Sequence, residues 1–407
     1  MSEYSLKHNN DTVLLLDIDE KYRFTKAVIV NKEKVPLGLL EKNDTIDIYE
    51  FNDWFNNRGI PVKRDGIEYI LQKEKKETVN ELLIKNNGLG LCDHYWIEET
   101  KLNTKWADIN YFDNDNNFNR LGDDIYLGKK NELEIKEDKT PNCSLSGMQP
   151  KRWILINGER WLLKGKEATT EQEPFSEVAA SLFLDKLRFD HVEYKLIEMD
   201  NKTLSGCRNM LNSNQELIHS YYANKFKKFD DTSSYEMYIS NLTALGIKDD
   251  ITTELEKMIV VDYLIANTDR HWSNFGIIRN SDTMKYERIA PLYDHAASFF
   301  TKTNKISIFK DNENLSCRSF KTTQDENLKL VKNIDWLNFD ALKDLPDILR
   351  DTLNKNKASE PNRNDIIIKC ITTRIHTFKK ILGLTTKDKT VNIHNKYNID
   401  NHNEFKR

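Results

Sequence analysis

Cysteine is scarce and unpatterned in this chain. Its five residues, Cys92, Cys143, Cys207, Cys317 and Cys370, are odd in number, widely scattered and never in a Cys-x-x-Cys pair. Neither a disulfide framework nor a zinc site of spaced pairs is indicated, and free thiols are expected. No stretch approaches the roughly 18 uninterrupted apolar residues of a membrane-spanning helix. The opening MSEYSLKHNND lacks the basic-then-apolar order of a secretory signal. A cytoplasmic protein with no membrane partner is expected. An excess of charge of one sign is also missing: the formal net charge is −4, spread along the chain. That leaves no electrostatic footprint for nucleic acid or acidic lipid, so direct nucleic-acid binding is not expected. Internal repeats are absent as well.

What is present is enough apolar material for a sizeable core. The 407 residues are 38% hydrophobic and 10% aromatic, a length that favours two or three domains or lobes. Texture divides the chain. Residues 1–136 form a mixed accessory region, with TVLLLDID as a strand and GIEYILQ and TVNELLIKN as helical pieces. Within it, Asp113, Asp115 and Asn117 alternate as in a calcium loop. However, Phe118 stands where such a loop needs glycine, and no glutamate closes the coordination, so an Asn-rich surface loop is expected.

Residues 137–210 read as a small β-rich lobe. RWILI and ERWLLK flank Asn157-Gly158, a pair suited to the positive φ angles of a type I′ turn, so a hairpin is expected with Lys164 at its end. A helix follows, with Ala180, Phe183, Leu184 and Leu187 on one face and Glu177 in its first turns. Residues 211–383 read as mainly helical, interrupted once by a hairpin of FGIIR and MKYERIA around NSDT. Residues 384–407 lack periodicity and read as a disordered tail.

The chemistry gathers in NTDRHWSNFG, Asn267 to Gly276, just after the apolar MIVVDYLIA. Transfer of the γ-phosphoryl group of ATP needs Mg²⁺ to screen charge, a carboxylate to orient the attacking hydroxyl and a lysine on the phosphates. Protein kinases supply an Asp and an Asn separated by four residues, then a short hairpin, then a second Asp; a strand lysine held by a helix glutamate comes from the other lobe. Asp269 and Asn274 have that spacing, the hairpin follows, and Asp294 comes after it. Lys164 ends a strand and Glu177 opens the next helix. Singly, each residue has a plain structural explanation: a solvated strand end, a first-turn carboxylate, a cap. Their shared order favours a kinase-type site. Three alternatives stay open: a metal-dependent phosphoesterase or nuclease with Asp269, His271, Asp294 and His295 as ligands, a nucleotide-binding pseudokinase or scaffold, and phosphoryl transfer to a lipid or small molecule.

SLSGMQPK, WLLKG, NTDRHWSNFG and APLYDHAASF resemble the HipA-like serine/threonine kinases over roughly Cys143 to Leu382. The resemblance implies an α+β fold of two lobes related to protein kinases and phosphatidylinositol 3/4-kinases, here with an N-terminal accessory region. It implies that Asp269 positions the substrate hydroxyl and that Asn274 and Asp294 bind Mg²⁺. Lys164 would contact the phosphates of ATP, with Glu177 as its partner. Ser144, Ser146, Gly147 and Gln149 would belong to a flexible phosphate loop in which a serine, Ser144 by alignment, is autophosphorylated. The implied partners are a protein with a Ser/Thr acceptor and an antitoxin-like protein. The loop has one glycine, unlike GxGxxG, and the first 130 residues lie outside the resemblance.

Overall fold

The computed structural model describes residues 2–381, apart from 42, 116, 117, 119–122, 130–138, 200 and 314. The expected boundary near 136, Asn117 of the Asn-rich loop and the tail from 384 lie outside the described residues. Strands β1 (Ser2–His8), β2 (Asp11–Ile18), β3 (Phe24–Ile29) and β4 (Tyr95–Glu99) form an antiparallel sheet in the order β3-β2-β1-β4. The expected TVLLLDID strand is β2, and the two expected helical pieces are the helices Ile67–Lys73 and Val79–Lys85. A third helix, Ile48–Asn56, starts where the Asp47 carboxylate accepts from the amides of Tyr49 and Glu50. It packs Phe51 and Phe55 against Phe24.

The small lobe is a second antiparallel sheet. Strands β5 (Lys151–Ile156), β6 (Glu159–Lys164), β7 (Tyr194–Met199) and β8 (Lys202–Arg208) run in the order β5-β6-β8-β7. The expected hairpin is β5-β6, with Asn157 at φ 51° and Gly158 at φ 78° in its turn. Its register sets Lys151 directly across from Lys164. The helix Glu173–Leu187 opens with Pro174 and packs on β7 and β8, with Ala180, Phe183, Leu184 and Leu187 all buried.

Those side chains continue into the core of the large lobe, beside Val260, Val261, Leu264, Leu349, Ile371 and Phe378. The carrying helices are Ser234–Ala244, Ile251–Leu264, Leu345–Leu353 and Arg363–Ile381. The expected interruption is larger than one hairpin. Strand β9 (Gln215–His219) pairs with β10 (Gly276–Asn280), which pairs with β11 (Tyr286–Ile289), giving a sheet ordered β11-β10-β9. At five residues, with its partner sixty positions away, β9 carries no local signal strong enough to mark it. Among the described residues no helix is long and apolar enough to cross a membrane.

The N-terminal sheet meets β9 and β10 through buried charge. Glu216 Oε2 accepts from Arg279 Nε at 2.9 Å, and Glu216 Oε1 accepts from His8 Nε2 at 2.9 Å and from the His94 amide at 2.8 Å. Arg279 Nη2 donates to the Tyr95 hydroxyl at 3.1 Å, and that hydroxyl donates to the Lys34 carbonyl at 2.8 Å. Burial pushes the Glu216 carboxyl up, yet Arg279, His8 and His94 outweigh it and hold it well below the usual carboxylate range. Removing one partner leaves the other charge buried and alone. Glu216→Ala should therefore lower stability by about 3–5 kcal/mol, read as a fall in the urea midpoint; a variant as stable as the wild type would show the joint to be idle.

Candidate active site

The expected lysine–glutamate pair is formed, and it is fully buried. Lys164 Nζ lies 2.7 Å from Glu177 Oε1 and 3.3 Å from Asp294 Oδ1, so one ammonium ties the small lobe's strand and helix to the segment that follows β11. The Ser205 hydroxyl donates to Glu177 Oε2 at 2.8 Å. Burial works against the Lys164 ammonium, but Asp294 and Glu177 hold its pKa well above the ordinary value. Burial likewise opposes the Asp294 carboxylate, and Lys164, Lys151 and Arg270 together hold its pKa below the usual range. Asp294 also sits at φ 58°, a left-handed conformation that costs a non-glycine residue about 1–2 kcal/mol. The Tyr194 hydroxyl, 3.4 Å from its amide, helps to hold it there.

The loop NTDRHWSNFG begins where the helix Ile251–Leu264 is stopped. Ala266 turns to φ 54°, and the Asn267 amide closes back on the Asp262 carbonyl at 2.9 Å. Arg270 folds back beneath the loop. Its Nε donates to Asp262 Oδ2 at 2.9 Å, and its Nη1 donates to the carbonyls of Asn274 at 2.5 Å and Tyr293 at 2.6 Å. Asn267 accepts from the Asp269 amide at 3.1 Å while donating to Asp262 at 2.8 Å. The stretch carrying Asp269 and Asn274 is thus fixed to the residue before Asp294.

Asn274 Nδ2 donates to the Asp269 carbonyl at 2.9 Å, which leaves its amide oxygen as the atom able to face a cation. Asp269 Oδ1 meets Arg318 Nη1 at 2.5 Å, a neighbour from a more exposed segment fifty residues downstream. His271 braces the loop by accepting from the Ser273 amide at 3.2 Å. Burial lowers its pKa, with Asp269 pulling the other way. His295 is fully buried and turned away from solvent.

In the loop Ser144–Lys151, Ser146 is exposed, whereas the Ser144 hydroxyl is buried with no hydrogen-bond partner among the described residues. Gln149 braces the base of the loop, its amide donating to the Gly165 carbonyl at 2.5 Å. Gly147 stands at φ 86°, where an added Cβ would come 3.0 Å from Lys151 Nζ. Lys151 is the residue the sequence reasoning passed over. Burial and the neighbouring Lys164 bring its pKa down to about 8. Its place was available in the numbers, since a two-residue turn at 157 and 158 must set 151 against 164. Arg270 was in view within NTDRHWSNFG without a role of its own, and Arg318 carried no motif.

Among the described residues no group of three or more His, Cys, Asp and Glu side chains is arranged to hold a metal ion. Asp269, His271, Asp294 and His295 are accordingly not gathered into one such cluster. An Asn–Asp pair completed by phosphate oxygens needs no such cluster.

Known proteins share parts of this sequence and fold. The Helicobacter pylori serine/threonine-protein kinase CtkA is 24% identical over 216 residues, which is 48% of this chain and 66% of that protein, just under two thirds of its length. The crystal structure of that proinflammatory kinase aligns with 57% of this chain and 95% of its own at 18% identity, with a TM-score of 0.42. A chain of the Shewanella oneidensis MR-1 toxin–antitoxin complex of HipA, HipB and operator DNA aligns over 93% of this chain and 97% of its own. The identity is 10% and the TM-score 0.53, a likeness of fold. That coverage carries the likeness into the N-terminal region, which the sequence motifs had left outside. Residues 143–355, a little over half of the chain and holding Lys164, Glu177, Asp269, Asn274 and Asp294, match the HipA-like C-terminal domain. This protein belongs to that family and has its kinase-like fold.

Proposed function

We propose that this protein transfers the γ-phosphoryl group of ATP, with Mg²⁺, to a serine or threonine hydroxyl of a protein. The observation that carries the proposal is the buried Lys164 held between Glu177 and Asp294, with Arg270 tying the backbone beside Asp294 to the loop that bears Asp269 and Asn274. The residues suit a magnesium triphosphate. Lys151 and Lys164 stand directly opposite each other, a repulsive pairing that an anion relieves, and Lys151 has no ion-pair partner among the described residues. The left-handed Gly147 brings the backbone close to Lys151 with no side chain between. Asp294 and Asn274 supply the oxygens for Mg²⁺, which when bound would screen the charge of the transferring group.

In this mechanism Lys164 and Lys151 draw the phosphates against β5 and β6. Asp269 accepts a hydrogen bond from the acceptor hydroxyl and orients it, with Arg318 sharing or yielding its place at the carboxylate. Arg270 keeps Asn274 and the Tyr293–Asp294 backbone in fixed relation throughout. The cytoplasm, where ATP is plentiful, suits this activity. An antitoxin-like protein is a fitting partner, since the Shewanella neighbour was solved with HipB. That neighbour also contains DNA, so the expectation of no direct nucleic-acid contact, which rested on net charge alone, gains no support from it.

The loop serines are fitting sites for autophosphorylation, and their burial ranks them. Ser146 is open to solvent as the loop lies, whereas Ser144, favoured by sequence alignment, must first leave its pocket. A phosphoserine adds about −1.5 to −2 charge, which beside a triphosphate would disfavour nucleotide binding.

Three outcomes are expected. A folded Asp294→Asn variant should lose about three orders of magnitude in phosphoryl transfer; steady-state ATP consumption near the wild-type rate would remove Asp294 from the site. Incubation with ATP and Mg²⁺ followed by intact-mass measurement and site mapping should show phosphate on the Ser144–Lys151 loop in the wild type and none in Asp269→Asn. Equal modification of both proteins would exclude self-catalysis. The third outcome concerns pH. Lys151 has a pKa of about 8 without ligand, and bound phosphates favour its charged form and raise that value. Nucleotide affinity should then be full below pH 8 and weaken as pH rises above it, by up to about tenfold per unit. Titration calorimetry between pH 7 and 9 should also record proton uptake on binding. A flat profile would place Lys151 away from the phosphates.

A further inference from the structure

The loop Ser144–Lys151 is held from outside the kinase lobes. Arg64 lies in the turn before the helix Ile67–Lys73 of the N-terminal region and is only 2% exposed. Its Nε donates to the Gly147 carbonyl at 2.9 Å. Its Nη2 donates to the carbonyls of Leu145 at 2.5 Å and Ser146 at 3.2 Å, and also contacts that of Gly147. One guanidinium thus serves three consecutive carbonyls of the loop. No carboxylate pairs with it among the described residues, and its Nη1 is buried without a partner. Burial brings its pKa down to about 10.

The direction of these bonds matters more than their number. In a trans peptide the N–H points opposite to the preceding C=O, and the chain has no cis peptide among the described residues. With the carbonyls of 145, 146 and 147 drawn toward Arg64, the amides of Ser146, Gly147 and Met148 are turned the other way, and these three residues are exposed. Successive amides aimed to one side form a concavity that binds anions. The stretch just before the loop is pinned by the same region. The Thr140 amide donates to Asn86 Oδ1 at 3.0 Å, and the Tyr126 hydroxyl contacts Cys143 Sγ at 3.3 Å.

We propose that Arg64 is a positioning residue of the nucleotide site, a latch by which the docked N-terminal region turns the amides of Ser146, Gly147 and Met148 toward the ATP phosphates. This rests on the assignment of the loop to ATP. A buried cation held only by carbonyl dipoles is costly, and a triphosphate arriving at the opposite face of the same peptides lowers that cost. The coupling is reciprocal. Nucleotide binding tightens the docking of the N-terminal region by the factor through which that docking tightens nucleotide binding. A partner that pulls the region away would release ATP without touching the catalytic loop.

The test uses the full chain with Arg64→Ala and Arg64→Lys, the latter keeping the charge but not the planar fork. Two quantities are measured: the rate at which a broad-specificity protease cuts within residues 144–151 of the nucleotide-free protein, mapped by mass spectrometry, and the calorimetric affinity for ATP with Mg²⁺. In a folded Arg64→Lys, loop cleavage should quicken about tenfold or more while cuts elsewhere keep their rates, and ATP affinity should fall about tenfold. Wild-type cleavage and affinity in a folded variant would overturn the latch, as would a fall in affinity matched by equal loosening everywhere. Failure of the wild type to bind ATP with Mg²⁺ would instead sink the kinase assignment, and the cleavage arm would still decide whether Arg64 holds the loop.

Discussion

A single buried ion pair, Asp262 with Arg270, decides whether the rest of the site exists. Taking two charges out of water costs several kcal/mol per ion and is tolerated only when every remaining donor finds an acceptor. Here the guanidinium's remaining reach goes to the backbone of Asn274 and Tyr293. The last turn of one helix, the loop after it and the exit of the β10–β11 hairpin therefore share one rigid fork. A lysine, with a single point charge, could not hold three such places at once. The fixed backbone in turn lets Asp294 keep its left-handed conformation and present its carboxylate to Lys164.

The other junctions repeat this use of buried charge. Lys164 joins the two lobes, Glu216 joins the N-terminal sheet to β9 and β10, and Arg64 joins the N-terminal region to the Ser144–Lys151 loop. Apolar contact would hold these units together as firmly, but it slides. Ion pairs and forked hydrogen bonds fix one relative placement and penalise every other. A site assembled from three parts of a chain needs that discrimination more than it needs added stability.

Much of this was legible in the sequence, and the limit falls along a physical line. The β5–β6 hairpin, the helix bearing Glu177 and the β10–β11 hairpin were readable because turn chemistry and local periodicity mark them. Lys164, Glu177 and Asp294 were readable as a set because phosphoryl transfer prescribes their order. β9 was not, nor was the pairing of β1 with β4, because each depends on a partner sixty to ninety residues away. Arg64 and Arg318 escaped for the same reason. A surface arginine and a buried one look alike in sequence, and only the fold shows which carbonyls or carboxylates are near. Gln149 was expected to serve the nucleotide, and in the fold its amide braces the Gly165 carbonyl.

The hairpin turn at Asn157-Gly158 lies at the far end of β5 and β6 from the two lysines, six residues along each strand. At about 3.4 Å per residue, it is roughly 20 Å from the candidate site. Side chains alternate faces along a strand, so sliding one strand by a single residue would send Lys164 to the opposite side of the sheet while leaving its backbone bonds almost as good. The turn thus works as a ruler. One inserted residue in an exposed, chemically silent corner could dismantle the candidate site while the protein stayed folded, and the length of that corner is as much a part of the site as any charged group.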